Sequence, residues 1–252
     1  MTLLRRMGAL VGRELRSYFY SPLAWVVLTL FLLVQGYSFY LYVELVNRPD
    51  APHGAVMQQF FGGTFLYWLF VIFVSAAITM RLVAEERRSG TIEGLLTSPV
   101  SEGEVVLSKY LAAVLFYAFL WLPTLTYVGV IAGLAGGGPV SWGPVLSGYL
   151  GTLALGAALL AVGLLASVLT RSQIVAAVLS FTALSLLLLL GALELFVSNS
   201  TLRAVIAHVN LFEHMEELAR GIVDSRRLVF YLSVVVFCLV AAARALEAKK
   251  WR

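Results

Sequence analysis

The sequence predicts an all-α integral membrane protein: an N-terminal amphipathic interfacial helix followed by six transmembrane helices, with both termini cytoplasmic. Three observations carry this prediction. First, 60% of the 252 residues are hydrophobic and 13% are charged, about half the charge of an ordinary soluble domain. A soluble fold of this size could not hide that much apolar surface without associating. Second, the apolar residues fall into six runs long enough to cross a bilayer as helices, the form in which a spanning segment bonds its own backbone. Third, Lys and Arg are unevenly placed. With the N-terminus inside, 13 lie on inner segments (Arg5, Arg6, Arg13, Arg16, Arg81, Arg87, Arg88, Lys109, Arg171, Arg244, Lys249, Lys250, Arg252) and 5 on outer ones (Arg48, Arg203, Arg220, Arg226, Arg227). That asymmetry follows the positive-inside rule. The exception is the last outer segment, where four cations face Glu213, Glu216, Glu217 and Asp224.

The elements follow in chain order as a single membrane domain, 1–252. Residues 2–20 read as an interfacial helix. Leu3, Leu4, Met7, Leu10, Val11, Leu15, Tyr18 and Phe19 share one half of the wheel, and Arg5, Arg6, Arg13 and Arg16 the other, the pattern of a helix lying in the headgroup plane. Glu14 projects into the apolar half, which leaves it either to pair with a cation of the next cytoplasmic loop or to snorkel outward. The start does not read as a cleavable signal peptide, because the first apolar run is too long and no small-x-small site follows.

Spans are expected at about 23–43, 60–80, 106–134, 145–169, 173–195 and 228–246, and Gly136-Gly137-Gly138-Pro139 separates the third from the fourth. Residues 81–105 form a cytoplasmic loop and 198–227 an outer segment. Pro123 lies inside the third span, where a kink with Thr124 and Thr126 satisfying freed backbone groups and a place on a substrate path are the two readings. Glu194, near the outer end of the fifth span, is likewise either an interfacial helix-end residue or a pathway residue. Gly148, Gly151, Gly156, Ala157, Gly163 and Ser167 give the fourth span a small-residue face suited to close helix contact.

Several chemistries find no residues to support them. His53, His208 and His214 lie outside the spans, no Gly-Lys dipeptide builds a phosphate loop, and no G-x-S-x-G is present. The single cysteine, Cys238, forms no intrachain disulfide. No metal, cofactor or catalytic set is expected in this chain, nor a nucleic-acid partner. The near absence of ionisable groups inside the spans argues against a self-powered carrier. Energy for movement would come from a partner.

The loop carries the clearest local pattern. Arg81 to Ser89 extends the second span as a charged helix, Gly90 is a left-handed stop, and Thr91 caps a short cross-helix with Glu93 in its first turn. That helix, Ile92 to Thr97, ends at Ser98-Pro99, and Ser101-x-x-Glu104 is a capping box that starts the third span.

The string from Met80 to Ser101 resembles the cytoplasmic loop of ABC-2-type ABC transporter permeases, and within them the gliding-motility and nitrous-oxide-reductase-maturation branch. Arg13-Glu14-Leu15-x-x-Tyr18-Phe19-x-Ser21-Pro22 and Gly221-Ile222-Val223-Asp224-Ser225-Arg226 are similar to that branch's opening and to the segment before its last span. The resemblance implies a multi-pass protein of the bacterial inner membrane that pairs with a second permease copy or homologue. The pair would sit on two cytoplasmic ATP-binding subunits, which hold the ATP and Mg. It implies that Glu14, Arg81, Glu85, Glu86, Arg87, Gly90, Thr91 and Glu93 belong to the coupling region, with Arg171 in a second, smaller contact. It also implies that 198–227 dips back into the outer leaflet, and it leaves room for a periplasmic accessory protein. The resulting expectation is the permease subunit of an exporter, not an enzyme. The alternative is a membrane anchor or mechanical transmitter through which no substrate crosses.

Overall fold

A computed structural model describes residues 3–46, 59–90, 101–134, 141–195 and 197–250. Among these residues every regular element is a helix. They are α1 (Leu3–Tyr20), α2 (Pro22–Val46), α3 (Phe65–Thr79), α4 (Ala84–Ser89), α5 (Glu102–Trp121), α6 (Leu125–Leu134), α7 (Trp142–Leu169), α8 (Gln173–Ala192), α9 (Ser200–Ala207), α10 (Leu211–Ala219) and α11 (Ser225–Lys250). Six stretches are long and apolar enough to cross a membrane, and α1 precedes them.

Helix α7 is the hub, with α3, α5, α8, α10 and α11 all packed on it. Its position follows from its glycines. A Cβ on Gly156 would lie 2.1 Å from Tyr117 Cε1, and one on Gly163 would lie 2.2 Å from Thr79 Oγ1, so neighbouring side chains occupy the space that larger residues would fill. By contrast α2, α8 and α11 each bury less than a third of their apolar stretch. Their exposed Leu, Val and Phe side chains form the apolar perimeter expected where lipid replaces water.

Pro123 interrupts the third span as the sequence suggests. A single 3-10 turn, Leu122–Thr124, separates α5 from α6. The Leu122 N–H bonds Phe119 O. Thr124 Oγ1 donates to Trp121 O at 2.7 Å, and Thr126 Oγ1 to Pro123 O at 2.7 Å. The carbonyls disturbed by proline thus find partners nearby.

The second span does not run on unbroken to Ser89. Helix α3 stops at Thr79, a turn covers Met80–Val83, and α4 begins at Ala84. Two hydroxyls account for the break. Thr79 Oγ1 bonds back to Ser75 O and Ala76 O, a contact that bends helices. Ser167 of α7 accepts from the N–H groups of Val83 and Ala84 at 3.2 and 3.1 Å, so the new helix start is capped from a different helix. Gly90 then ends α4 with φ +73°, the left-handed stop its sequence position predicts.

At the other end of the bundle, α9 and α10 each start on an asparagine cap. Asn199 accepts from Thr201 and Leu202 N–H, and Asn210 from Phe212 and Glu213 N–H. Leu211, His214, Met215, Leu218 and Ala219 are the buried residues of α10. This end also answers the charge exception. Arg203 pairs with Glu194, Arg220 with Glu216, and Arg227 with Glu213 and Glu217, so three of the cations are locally neutralised.

Candidate functional site

The site lies where α1, the α3–α4 turn and the start of α5 meet. Helix α1 reaches it through its apolar half. Tyr18 stacks on Phe116 with ring centroids 4.9 Å apart, Phe19 meets Phe116 and Phe119 edge-on, and Tyr18 Oη donates to Ile78 O at 3.0 Å. This packing places Glu14 facing inward, and the residue waiting there is Lys109. Its ammonium, 2% exposed, lies 3.1 Å from Glu14 Oε2 and 2.7 Å from Glu86 Oε1. The α5 capping box sets the register that delivers it. Ser101 Oγ accepts from Glu104 N–H, and Glu104 Oε2 accepts from Ser101 N–H, so Lys109 points toward α1 and α4 two turns later.

A buried ammonium is costly unless both its charge and its donors are matched. Two carboxylates from segments 95 and 23 residues away do so. One cation therefore joins the N-terminal helix, the segment after the second span and the start of the third. Of the two readings of Glu14, the structure supports pairing, with Lys109 as the cation.

Arg81 makes a second tie. Its Nε and Nη2 donate to Glu85 Oε2 and Oε1 at 2.7 and 3.1 Å, and its Nη1 donates to Ser21 Oγ at 2.5 Å, at the joint between α1 and α2. The planar fork of Arg makes this two-point geometry possible where Lys could not. Arg87 completes the set by donating to Val168 O at 2.6 Å, at the end of α7. Arg171 lies in the α7–α8 turn close enough to repel Arg87, and Gln173 reaches Glu85. A cavity of about 270 Å³ opens between these groups, lined among others by Glu14, Tyr18, Arg81, Glu85, Glu86 and Lys109.

Of the residues singled out in the sequence, Glu14, Arg81, Glu85, Glu86 and Arg87 are thus brought together. Gly90 ends the same segment, and Arg171 sits beside it. Thr91, Glu93 and the expected cross-helix lie outside the described residues. Pro123 and Thr124 are elsewhere, in the interrupted third span, where Thr124 Oγ1 also meets Tyr149 Oη at 2.8 Å. Glu194 is at the opposite end, accepting from Asn210 Nδ2 at 2.8 Å and from Arg203 Nε at 3.5 Å. Sequence reasoning counted Lys109 among the inner cations without placing it in the site, and it missed Ser21 and Ser167. The acid on the apolar half of α1 was a usable signal for Lys109. The serines give none, because their roles arise only when distant helices meet.

The opposite end holds a second ionisable cluster. His214 is fully buried on α10, with Nδ1 3.3 Å from Tyr231 Oη. Burial, reinforced by the Arg227 charge, pushes its pKa down to about 4, so it is neutral near pH 7. Burial raises the Glu213 carboxyl, against the pull of Arg227. Among the described residues, no three His, Cys, Asp or Glu side chains are grouped so as to hold a metal ion. What the α1–α4–α5 junction offers is a set of charged, hydrogen-bonded ties between several helix ends.

A search of curated proteins finds no matching relative. Residues 20–188, about two thirds of the chain and including the first four spans, the loop and most of α8, match the family described as ABC-2 family transporter protein. The chain is a multi-pass membrane protein and belongs to the ABC-2 transporter family, as its loop resemblance implied.

Proposed function

We propose that this chain is the permease subunit of an ABC-2-type exporter of the bacterial inner membrane. Two copies, or a copy and a homologue, pair on two cytoplasmic ATP-binding subunits, and ATP-driven closure of those subunits moves the spans. The α1–α4–α5 junction faces the cytoplasm and, with residues 91–100, receives the push.

The observation that carries this reading is the shared Lys109. Glu14 and Glu86 close on it from two sides, so displacement of the segment flanking 91–100 is transmitted at once to α1, to α5 and, through Arg81 and Ser21, to α2. Arg87 on Val168 O and Ser167 on the start of α4 carry the same displacement to α7, the hub. Side-chain networks with more than one arrangement are the physical means by which such coupling travels.

The test is co-purification in mild detergent combined with charge reversal. An ATP-binding subunit is expected to accompany the wild type. Glu85→Lys together with Glu93→Lys is expected to lower substrate-stimulated ATP hydrolysis of the complex about tenfold or more while the chain stays folded and membrane-inserted. Isolation without an ATPase, with function intact after the double reversal, overturns the coupling claim. A tag at residue 1 or 252 reached from outside intact cells overturns the orientation.

A further inference from the structure

The end of the bundle away from the Lys109 junction contains a polar recess that the charged ties do not use. Helix α2 lies at the perimeter, yet one stripe of it turns inward: Phe31, Gln35, Ser38 and Tyr42 are each at most 5% exposed. Tyr42 Oη donates to Thr64 Oγ1 at 2.8 Å. Ser38 Oγ and Gln35 Nε2 have no hydrogen-bond partner among the described residues. Burying such groups in an apolar slab without partners is costly. Ser38 lines a cavity of about 260 Å³ together with Leu41, Tyr42, Glu44, Thr64 and Leu66. Leu41, one of the lining residues, is 39% exposed. Deeper along the stripe, Phe31 packs edge-on against Trp121, whose Nε1 is also buried without a partner.

We propose that this recess binds the cationic, hydrogen-bonding head of an amphiphile, an alkylammonium group entering from the lipid side between α2 and α3. Glu44 is the ionisable residue of the lining and selects the cation. Ser38 Oγ offers an unused acceptor within, Leu41 and Leu66 flank the tail, and the volume fits a head group more than a whole drug-sized molecule. This rests on the permease reading above and adds a substrate class to it.

The experiment uses the full chain in phosphatidylcholine nanodiscs, with Cys238→Ala as background and Ser38→Cys as reporter. Labelling rates with cationic aminoethyl and anionic sulfonatoethyl methanethiosulfonate are each normalised to a free thiol. The cationic reagent is expected to label about tenfold faster, reflecting one nearby carboxylate, and Glu44→Gln should bring the ratio to within about twofold of unity. Octylammonium chloride should slow cationic labelling about threefold or more, while octyl sulfate should not. Protection on replacing half the phosphatidylcholine by phosphatidylethanolamine would identify a lipid amine as the source, and protection by octylammonium alone a free amine. Thr64→Cys, also in the lining, serves as reporter if Ser38→Cys fails to fold. Absence of labelling at both reporters, or equal normalised rates with no octylammonium protection, overturns the proposal. Neither result alters co-purification with an ATP-binding subunit, so failure here is distinct from failure of the coupling reading.

Discussion

The two ends of the bundle both hold ion pairs, and their most buried cations, Lys109 and Arg227, are paired on opposite plans. At the α1 end, Lys109 is shared by carboxylates 95 and 23 residues away, so the pair exists only when three separate segments are assembled. At the other end, Arg227 meets Glu217 and Glu213, 10 and 14 residues away, and Arg220 meets Glu216 one turn away. Those contacts fasten one local segment to itself and to the start of α11. The first plan makes an ionic contact report on the mutual position of helices, and the second makes it a brace. The proposed coupling role needs the first plan, because only long-range ties carry displacement between elements.

The comparison breaks most sharply at Lys109. Lys109→Met keeps the length of the side chain but leaves Glu14 and Glu86 facing each other in a largely enclosed site. Removing one partner of a buried ionic set costs about 3–5 kcal/mol, so a large drop in the thermal midpoint of the purified chain is expected. Adding Glu14→Gln and Glu86→Gln to that variant should recover most of the loss, since the penalty lies in the orphaned charges. Restored stability without restored ATPase coupling would separate the mechanical role of the charges from their structural one. A Lys109→Met midpoint equal to wild type would show that the junction carries little load.

A smaller effect is expected at the hub. Gly156→Ala places a methyl 2.1 Å from Tyr117 Cε1, and the ring is buried at 1% exposure with no room to swing away. Overpacking of this kind costs about 1–3 kcal/mol. The same substitution at Gly129, where a Cβ would meet nothing, should be neutral or slightly stabilising. Comparing the two midpoints distinguishes close packing from helix propensity as the reason for glycine.

What could be read from the sequence divides along the same line as the two plans. Local rules located the apolar helices, the Pro123 interruption, the Gly90 stop and the Ser101–Glu104 box, because each depends on residues within one or two turns. The family resemblance, not those rules, grouped Glu14, Glu85, Glu86 and Arg87 in one candidate region. Neither could show that Glu14 and Glu86 share Lys109, that Ser167 caps α4 from another helix, or that α3 therefore stops at Thr79. Those facts depend on which faces of distant helices meet. The stripe of Gln35 and Ser38 was hidden for a different reason: two polar residues in a long apolar run barely lower its hydropathy, and only burial reveals that they turn inward.

The mildest expected effect belongs to the braced end and tests whether it is inert near neutral pH. His214 has a pKa of about 4 in the folded protein, against roughly 6.5 in an unfolded chain. The unfolded state therefore binds more protons between those values, so the contribution is fully present above about pH 6.5 and is lost as pH falls toward 4. Between pH 7 and 5.5 the loss should be about 1 kcal/mol, read as a lower thermal midpoint. Glu213 acts in the opposite direction. Burial holds its carboxyl above the usual range, so its own contribution improves as pH falls. The raw pH profile thus mixes two signs, and the difference between wild type and His214→Phe isolates the histidine. If that difference does not change between pH 7 and 5.5, His214 is solvated in the folded protein and the α10–α11 packing is looser than its enclosed ring requires. If it changes as expected while coupling to ATP hydrolysis does not, the two ends are energetically separate, which is what braces and transmitters should be.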